Sequence, residues 1–121
     1  MSSPIDLDLD AFKSTVTEGT VLVDFWATWC GPCRQFAPVF ESAAEAHEDV
    51  TFAKVDIDEN PELAGSLGIT SVPTLMAFRD GILVHQSAGA VPKAALQQLI
   101  DAVGDLDMDQ VRAEIAERQQ G

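Results

Sequence analysis

The chain has 121 residues, of which 46% are hydrophobic and 22% charged, a balance that fits one folded domain with a buried core and excludes a disordered chain. Twenty acidic residues against seven basic ones give a formal net charge of −13, which leaves no electrostatic footprint for a nucleic-acid binder or a polybasic membrane anchor. No apolar run approaches the roughly 20 residues that span a bilayer. The opening residues Met1 to Asp6 carry neither a basic nor an apolar stretch, and two cysteines are too few to staple a small secreted scaffold, so a cytoplasmic protein is expected.

In chain order, Ile5 and Leu7 read as a short edge strand. Leu9, Phe12 and Val16 recur at the spacing of a short amphipathic helix, with Asp8 or Asp10 as its cap and Gly19 as its end. Val21 to Ala27 is β-branched and aromatic, and both alternating faces are apolar, which predicts a central strand covered on both sides. Phe36, Val39, Phe40, Ala43, Ala44 and His47 form one helical stripe, and Pro38 inside it predicts a kink. Val50 to Ile57 is the next strand. A short helix follows, opened by Pro61 and closed by Gly68. Thr74 to Phe78 and Ile82 to His85 are strands joined through Asp80-Gly81, a two-residue hairpin turn if Arg79 pairs with Ile82. Leu96, Leu99, Ile100 and Val103 mark a helix that starts near Pro92. A last helix, Asp109 to about Arg118, carries Met108, Val111 and Ile115 on one side with Asp109 as its cap.

Helical crossovers imply parallel strand pairs and the hairpin implies an antiparallel one. The fold class is therefore α/β, a central mixed sheet flanked by helices on both faces, with an extra C-terminal helix. The expected division is a domain over residues 1–104 and a helical extension over 105–121, whose stripe is too thin to form a core of its own. The extension is expected to dock on the body and to fray at Gln119, Gln120 and Gly121.

Cys30-Gly31-Pro32-Cys33 is the strongest chemical signal. It follows the buried strand and opens a helix, at the carboxyl end of a strand where open α/β sheets place their sites. The spacing puts both sulfurs on one side of a first helical turn, close enough for a disulfide. Cys30 lies at the helix N-terminus, where free N–H groups favour a thiolate, and Cys33 lies a turn inside and is expected to be less exposed. Zinc ligation with His47 and His85, or a pair of structural core thiols, are the competing readings; the histidine spacing argues against the first, and Trp29 with Gly31-Pro32 against the second. Asp24 interrupts the apolar strand. Burial raises the pKa of a carboxyl, which makes Asp24 a candidate proton acceptor, and Lys54 in the next strand is a candidate partner for it.

The segment Val23-Asp24-Phe25-Trp26-Ala27-Thr28-Trp29-Cys30-Gly31-Pro32-Cys33 resembles the thioredoxin family, as do Pro38, Asp56-Ile57-Asp58, Val72-Pro73-Thr74, Asp80-Gly81 and Gly89. The likeness runs from about residue 5 to 103. It implies a five-stranded sheet and a reductase of protein disulfides. Cys30 would be the nucleophile and Cys33 the resolving thiol, the two closing into a disulfide. Asp24 would help deprotonate Cys33 through water, with Lys54 tuning it. Pro73 would follow a cis peptide bond and face the cysteines. Trp29, Gly31, Pro32, Val72, Pro73 and Gly89 would receive substrate chains. The resemblance further implies a monomer with no metal and no bound cofactor, re-reduced by a thioredoxin reductase, an NADPH-dependent flavoprotein. Arg34 stands where the family commonly has Lys, and Gln35 and Phe36 alter the same turn. A different class, a binding module or co-chaperone on the same fold, is motivated by the C-terminal helix.

Overall fold

The computed structural model describes residues 3 to 120; Met1, Ser2 and Gly121, and with Gly121 part of the expected fraying, lie outside it. The elements are β1 (Ile5–Asp6), α1 (Leu9–Thr15), β2 (Thr20–Trp26), α2 (Gly31–Ala46), β3 (Thr51–Asp56), α3 (Pro61–Ser66), β4 (Thr74–Arg79), β5 (Ile82–Ala88), α4 (Lys93–Gly104) and α5 (Met108–Gln120). The sheet order is β1-β3-β2-β4-β5. β1, β3 and β2 are parallel, whereas β4 and β5 are antiparallel to their neighbours.

Of the two candidate caps for α1, Asp8 is the one used: its carboxylate accepts from the Ala11 N–H at 2.8 Å. Arg79 does pair with Ile82. The two turn residues between them, Asp80 and Gly81, both have positive φ (52° and 85°), as a type I′ hairpin requires. β5 runs to Ala88, beyond the expected end at His85, because Gln86 and Ser87 pair with Met76 and Leu75; that ladder is set by the partner strand and leaves no apolar mark in the edge sequence. α2 runs unbroken from Gly31 to Ala46, and Pro38 lies on its exposed side.

The central strand explains its own composition. Leu22 faces one layer, packed with Phe36, Phe40 and Ala44 of α2, Leu96, Ile100 and Val103 of α4, and Phe52 of β3. Val21, Val23 and Phe25 face the other, with Phe12 of α1, Leu63 of α3, and Ala53 and Val55 of β3. Alternate side chains of one strand thus enter two cores, and both faces must be apolar. Phe36, Phe40 and Phe52 continue this packing as aromatic pairs at 5.6 and 5.2 Å between ring centres.

The cap of α5 differs from the expectation. Asp107 lies outside the helix and accepts from the N–H groups of Asp109 (3.1 Å) and Gln110 (3.2 Å), while Asp109, inside the first turn, pairs with Arg112 at 3.0 Å. A cap must precede the helix to reach its free donors. Met108 is buried, and Leu106, Val111 and Ile115 are half-buried. Arg79 at the end of β4 donates Nη1 to the carbonyls of Val103 (2.7 Å) and Gly104 (3.1 Å), placing a cation on the free carbonyls that end α4. We propose that residues 105–121 are an extension docked on this end of the domain. Deleting them is expected to leave disulfide reduction nearly intact and to cost about 1–3 kcal/mol, since little more than one apolar side chain is fully buried. Chemical denaturation and a disulfide-reduction assay check this; a truncated chain that cannot fold makes the helix part of the domain.

Candidate active site

β2 ends at Trp26, and Ala27 to Trp29 carry the chain into α2, whose N-cap is Cys30, in extended conformation at φ −89° and ψ 112°. Gly31 and Pro32 occupy the first helical positions. Proline fits there because its missing N–H would have had no helical partner. The Cys33 N–H donates to Cys30 Sγ at 3.1 Å, so sulfur does the work that an oxygen does at an ordinary N-cap. No acidic residue sits in the first turn of α2, and the positive end of the helix acts on Cys30 without an offsetting carboxylate there.

Cys30 and Cys33 are joined as a disulfide with their Cα atoms 5.2 Å apart. The expected difference in exposure is absent: Cys30 is 4% and Cys33 3% exposed. The loop before β4 accounts for this, since Cys30 Sγ lies 3.6 Å from the Val72 carbonyl oxygen, and both cysteines pack with Ala27 against Trp26, Ile57 and Val72. What distinguishes the two sulfurs is the hydrogen bond that Cys30 accepts at the helix start. The Val72-Pro73 bond is cis, and the Pro73 carbonyl accepts from the Gly89 N–H at 2.8 Å, which brings Gly89 to the same end of the sheet.

Asp24 is 1% exposed, and neither carboxylate oxygen has a hydrogen-bond partner among the described residues. It shares a strand face with Leu22 and so points to the α2 side, one pleat nearer the disulfide. Burial pushes its pKa from 3.8 up to about 7, and the charge of Lys54 opposes the rise. Lys54 is the register partner of Asp24 across β2 and β3, but the expected direct pairing is not made. Its ammonium sits 4.7 Å from the centre of the Trp26 ring, a cation–π contact that lets the charge stay near the surface. Lys54 therefore acts on Asp24 through space.

Trp29 is 64% exposed. Pro32 and Gly89 are exposed, Gly31 and Val72 half-buried, and Pro73 lies in the interior. Sequence reasoning missed Asp58, which accepts from Trp29 Nε1–H at 2.9 Å, and it missed the bond from Arg34 Nη1 to the Thr28 carbonyl at 3.0 Å. The only sequence trace of Asp58 is the Asp-x-Asp spacing after a strand, the pattern of an Asx turn. His47 Nε2 lies 2.8 Å from Gln97 Oε1 and His85 Nε2 lies 3.1 Å from Ser87 Oγ. Among the described residues no three His, Cys, Asp or Glu side chains gather as a metal site. No helix among them is long and apolar enough to cross a membrane.

A dithiol that closes into a disulfide at a helix start, with a buried carboxyl of raised pKa behind it, is built to trade its own disulfide for another; the class is thiol–disulfide oxidoreductase. The thioredoxin family model matches residues 3–102. A protein designated a candidate thioredoxin 2 in Streptomyces coelicolor is 51% identical over 120 residues, covering 98% of this chain and 90% of its own length. The thioredoxin of Bacillus subtilis is 47% identical over 92 residues, 75% of this chain and 88% of that one. The solved structure of Malassezia sympodialis thioredoxin superposes with a TM-score of 0.75 at 39% identity, covering 84% of this chain and 91% of the other. The chain belongs to the thioredoxin family. It reduces protein disulfides through Cys30 and Cys33, and like the family it works with a thioredoxin reductase and disulfide-bearing targets.

Proposed function

We propose that Cys30 is the attacking thiol, Cys33 the resolving one and Asp24 the proton acceptor, in a monomeric cytoplasmic reductase whose electrons come from an NADPH-dependent flavoprotein. Cys30 thiolate attacks one sulfur of a target disulfide; that S–S bond breaks, a mixed disulfide forms and one target thiolate leaves. Cys33 passes its proton toward Asp24 and attacks Cys30 Sγ. The second target thiolate departs, and the chain is left as the Cys30–Cys33 disulfide, two electrons poorer. Lys54 tunes Asp24 through space, and Trp29, Gly31, Pro32, Val72, Pro73 and Gly89 form the rim that receives the target chain.

The observation that carries the assignment is the Cys33 N–H bond to Cys30 Sγ at a helix start with no acid in its first turn. It supports the Cys30 thiolate and not that of Cys33. The test is insulin-disulfide reduction with NADPH and a thioredoxin reductase. Turnover that needs all three components is expected; reduction equally fast without the reductase, or none with it, overturns the reading.

A further inference from the structure

Two side chains outside the Cys-Gly-Pro-Cys turn hold the step that leads into it. Arg34, the fourth residue of α2, reaches back past Cys30 and donates Nη1 to the Thr28 carbonyl at 3.0 Å. Asp58 Oδ2 accepts from Trp29 Nε1–H at 2.9 Å. Asp58 is itself held. Asp56 Oδ1 accepts from the N–H groups of Asp58 (2.9 Å) and Glu59 (3.4 Å), and the Asp56 carbonyl accepts from both the backbone N–H and the side-chain amide of Asn60, each at 3.0 Å. Asp56 in turn pairs in register with Trp26 at the end of β2. A line of hydrogen bonds thus runs from the sheet to the tip of an indole that is 64% exposed.

An indole that exposed has little packing of its own to hold its rotamer. Nor does helix stability explain Arg34, since a cation near a helix N-terminus is at the unfavourable end of the dipole. Both charged groups are exposed, so solvent and salt screen them as charges. What they supply is geometry.

We propose that Arg34 and Asp58 are positioning residues that hold Thr28 and Trp29 in one arrangement, so that a polypeptide bearing a disulfide meets a preset platform beside Cys30. This rests on the reductase reading above. A platform ordered in advance lowers the cost of docking a chain and does nothing for a small disulfide that never reaches it. The effect therefore belongs in KM for protein substrates and not in the chemistry of the thiols.

Three variants test it: Arg34→Met, Asp58→Ala, and Asp58→Asn, which keeps an acceptor oxygen without the charge. In the oxidised protein, NMR relaxation of the Trp29 indole N–H is expected to show lost order in Asp58→Ala and retained order in Asp58→Asn. The Thr28 and Trp29 amides are expected to lose order in Arg34→Met. In turnover, Arg34→Met and Asp58→Ala are expected to raise KM for insulin by about three- to tenfold while the rate with a small aromatic disulfide stays within about twofold, and Asp58→Asn stays near the wild type. The proposal is overturned if KM for insulin does not move, if the small disulfide slows as much as the protein, or if Asp58→Asn behaves like Asp58→Ala. A wild-type chain inactive on both substrates would instead sink the reductase reading.

Discussion

Cys30→Ser is expected to reduce target-disulfide turnover to an undetectable level, and Cys33→Ser to stop the reaction halfway with the target held on Cys30. A serine hydroxyl caps a helix at least as well as sulfur, so the loss at position 30 should come without loss of fold. Its oxygen stays protonated where the sulfur would ionise, and the nucleophile is gone. In Cys33→Ser the first exchange still runs, but nothing displaces the target from Cys30 Sγ. Non-reducing electrophoresis and intact mass after mixing with a disulfide substrate check this. Stable capture by the Cys30→Ser chain, with none by Cys33→Ser, would reverse the roles of the two sulfurs.

Asp24→Asn is expected to slow turnover by about a hundredfold near neutral pH and to make the oxidised protein more stable. The sign follows from the raised pKa. Asp24 titrates at about 7 in the folded chain against 3.8 for an ordinary carboxyl. Between those values the folded state holds more protons than the unfolded one, so stability falls as pH rises through this window. Below about 4 both states are protonated and the penalty is absent; above 7 it is complete, on the order of 4 kcal/mol from the separation of the two values. A buried asparagine amide carries its own unpaired polar atoms, so the net gain at pH 8 should be about 1–3 kcal/mol. Urea unfolding of both proteins should show the asparagine variant the more stable at pH 8 and the less stable at pH 4, where the carboxyl is protonated and only the cost of the amide remains. A gap that ignores pH would mean that Asp24 is not the group that titrates.

The same residue shows how far the sequence could be read. An acid in a strand apolar on both faces announces its own burial, and with burial comes the upward pKa, because desolvation depends on surroundings that the flanking residues already describe. The partner was not legible. Lys54 does stand in register with Asp24, yet its ammonium lies over the Trp26 ring. A long cationic side chain in a strand near the sheet's end can satisfy itself by a carboxylate, a ring or water, and only the packed neighbours choose. Arg34 and Asp58 make the point more sharply: each bonds to a segment reached by folding or by a reversal of the chain, and no spacing in the sequence encodes the meeting.

The order of elements, the hairpin at Asp80-Gly81, the cap at Asp8 as one of two candidates, the central place of Val21 to Ala27 and the chemistry of Cys30-Gly31-Pro32-Cys33 were all legible from the residues alone. These are local properties: side-chain periodicity, backbone φ and the spacing of two sulfurs across one turn. The strand order β1-β3-β2-β4-β5, the extension of β5 through Gln86 to Ala88, the equal burial of the two cysteines under Val72 and the grip of Arg79 on the end of α4 came into view with the folded chain. Each of these is a contact between residues far apart in the chain. Such contacts are chosen by which surfaces exclude water together and which free donors and carbonyls are left to satisfy, and that choice exists only once the layers have packed.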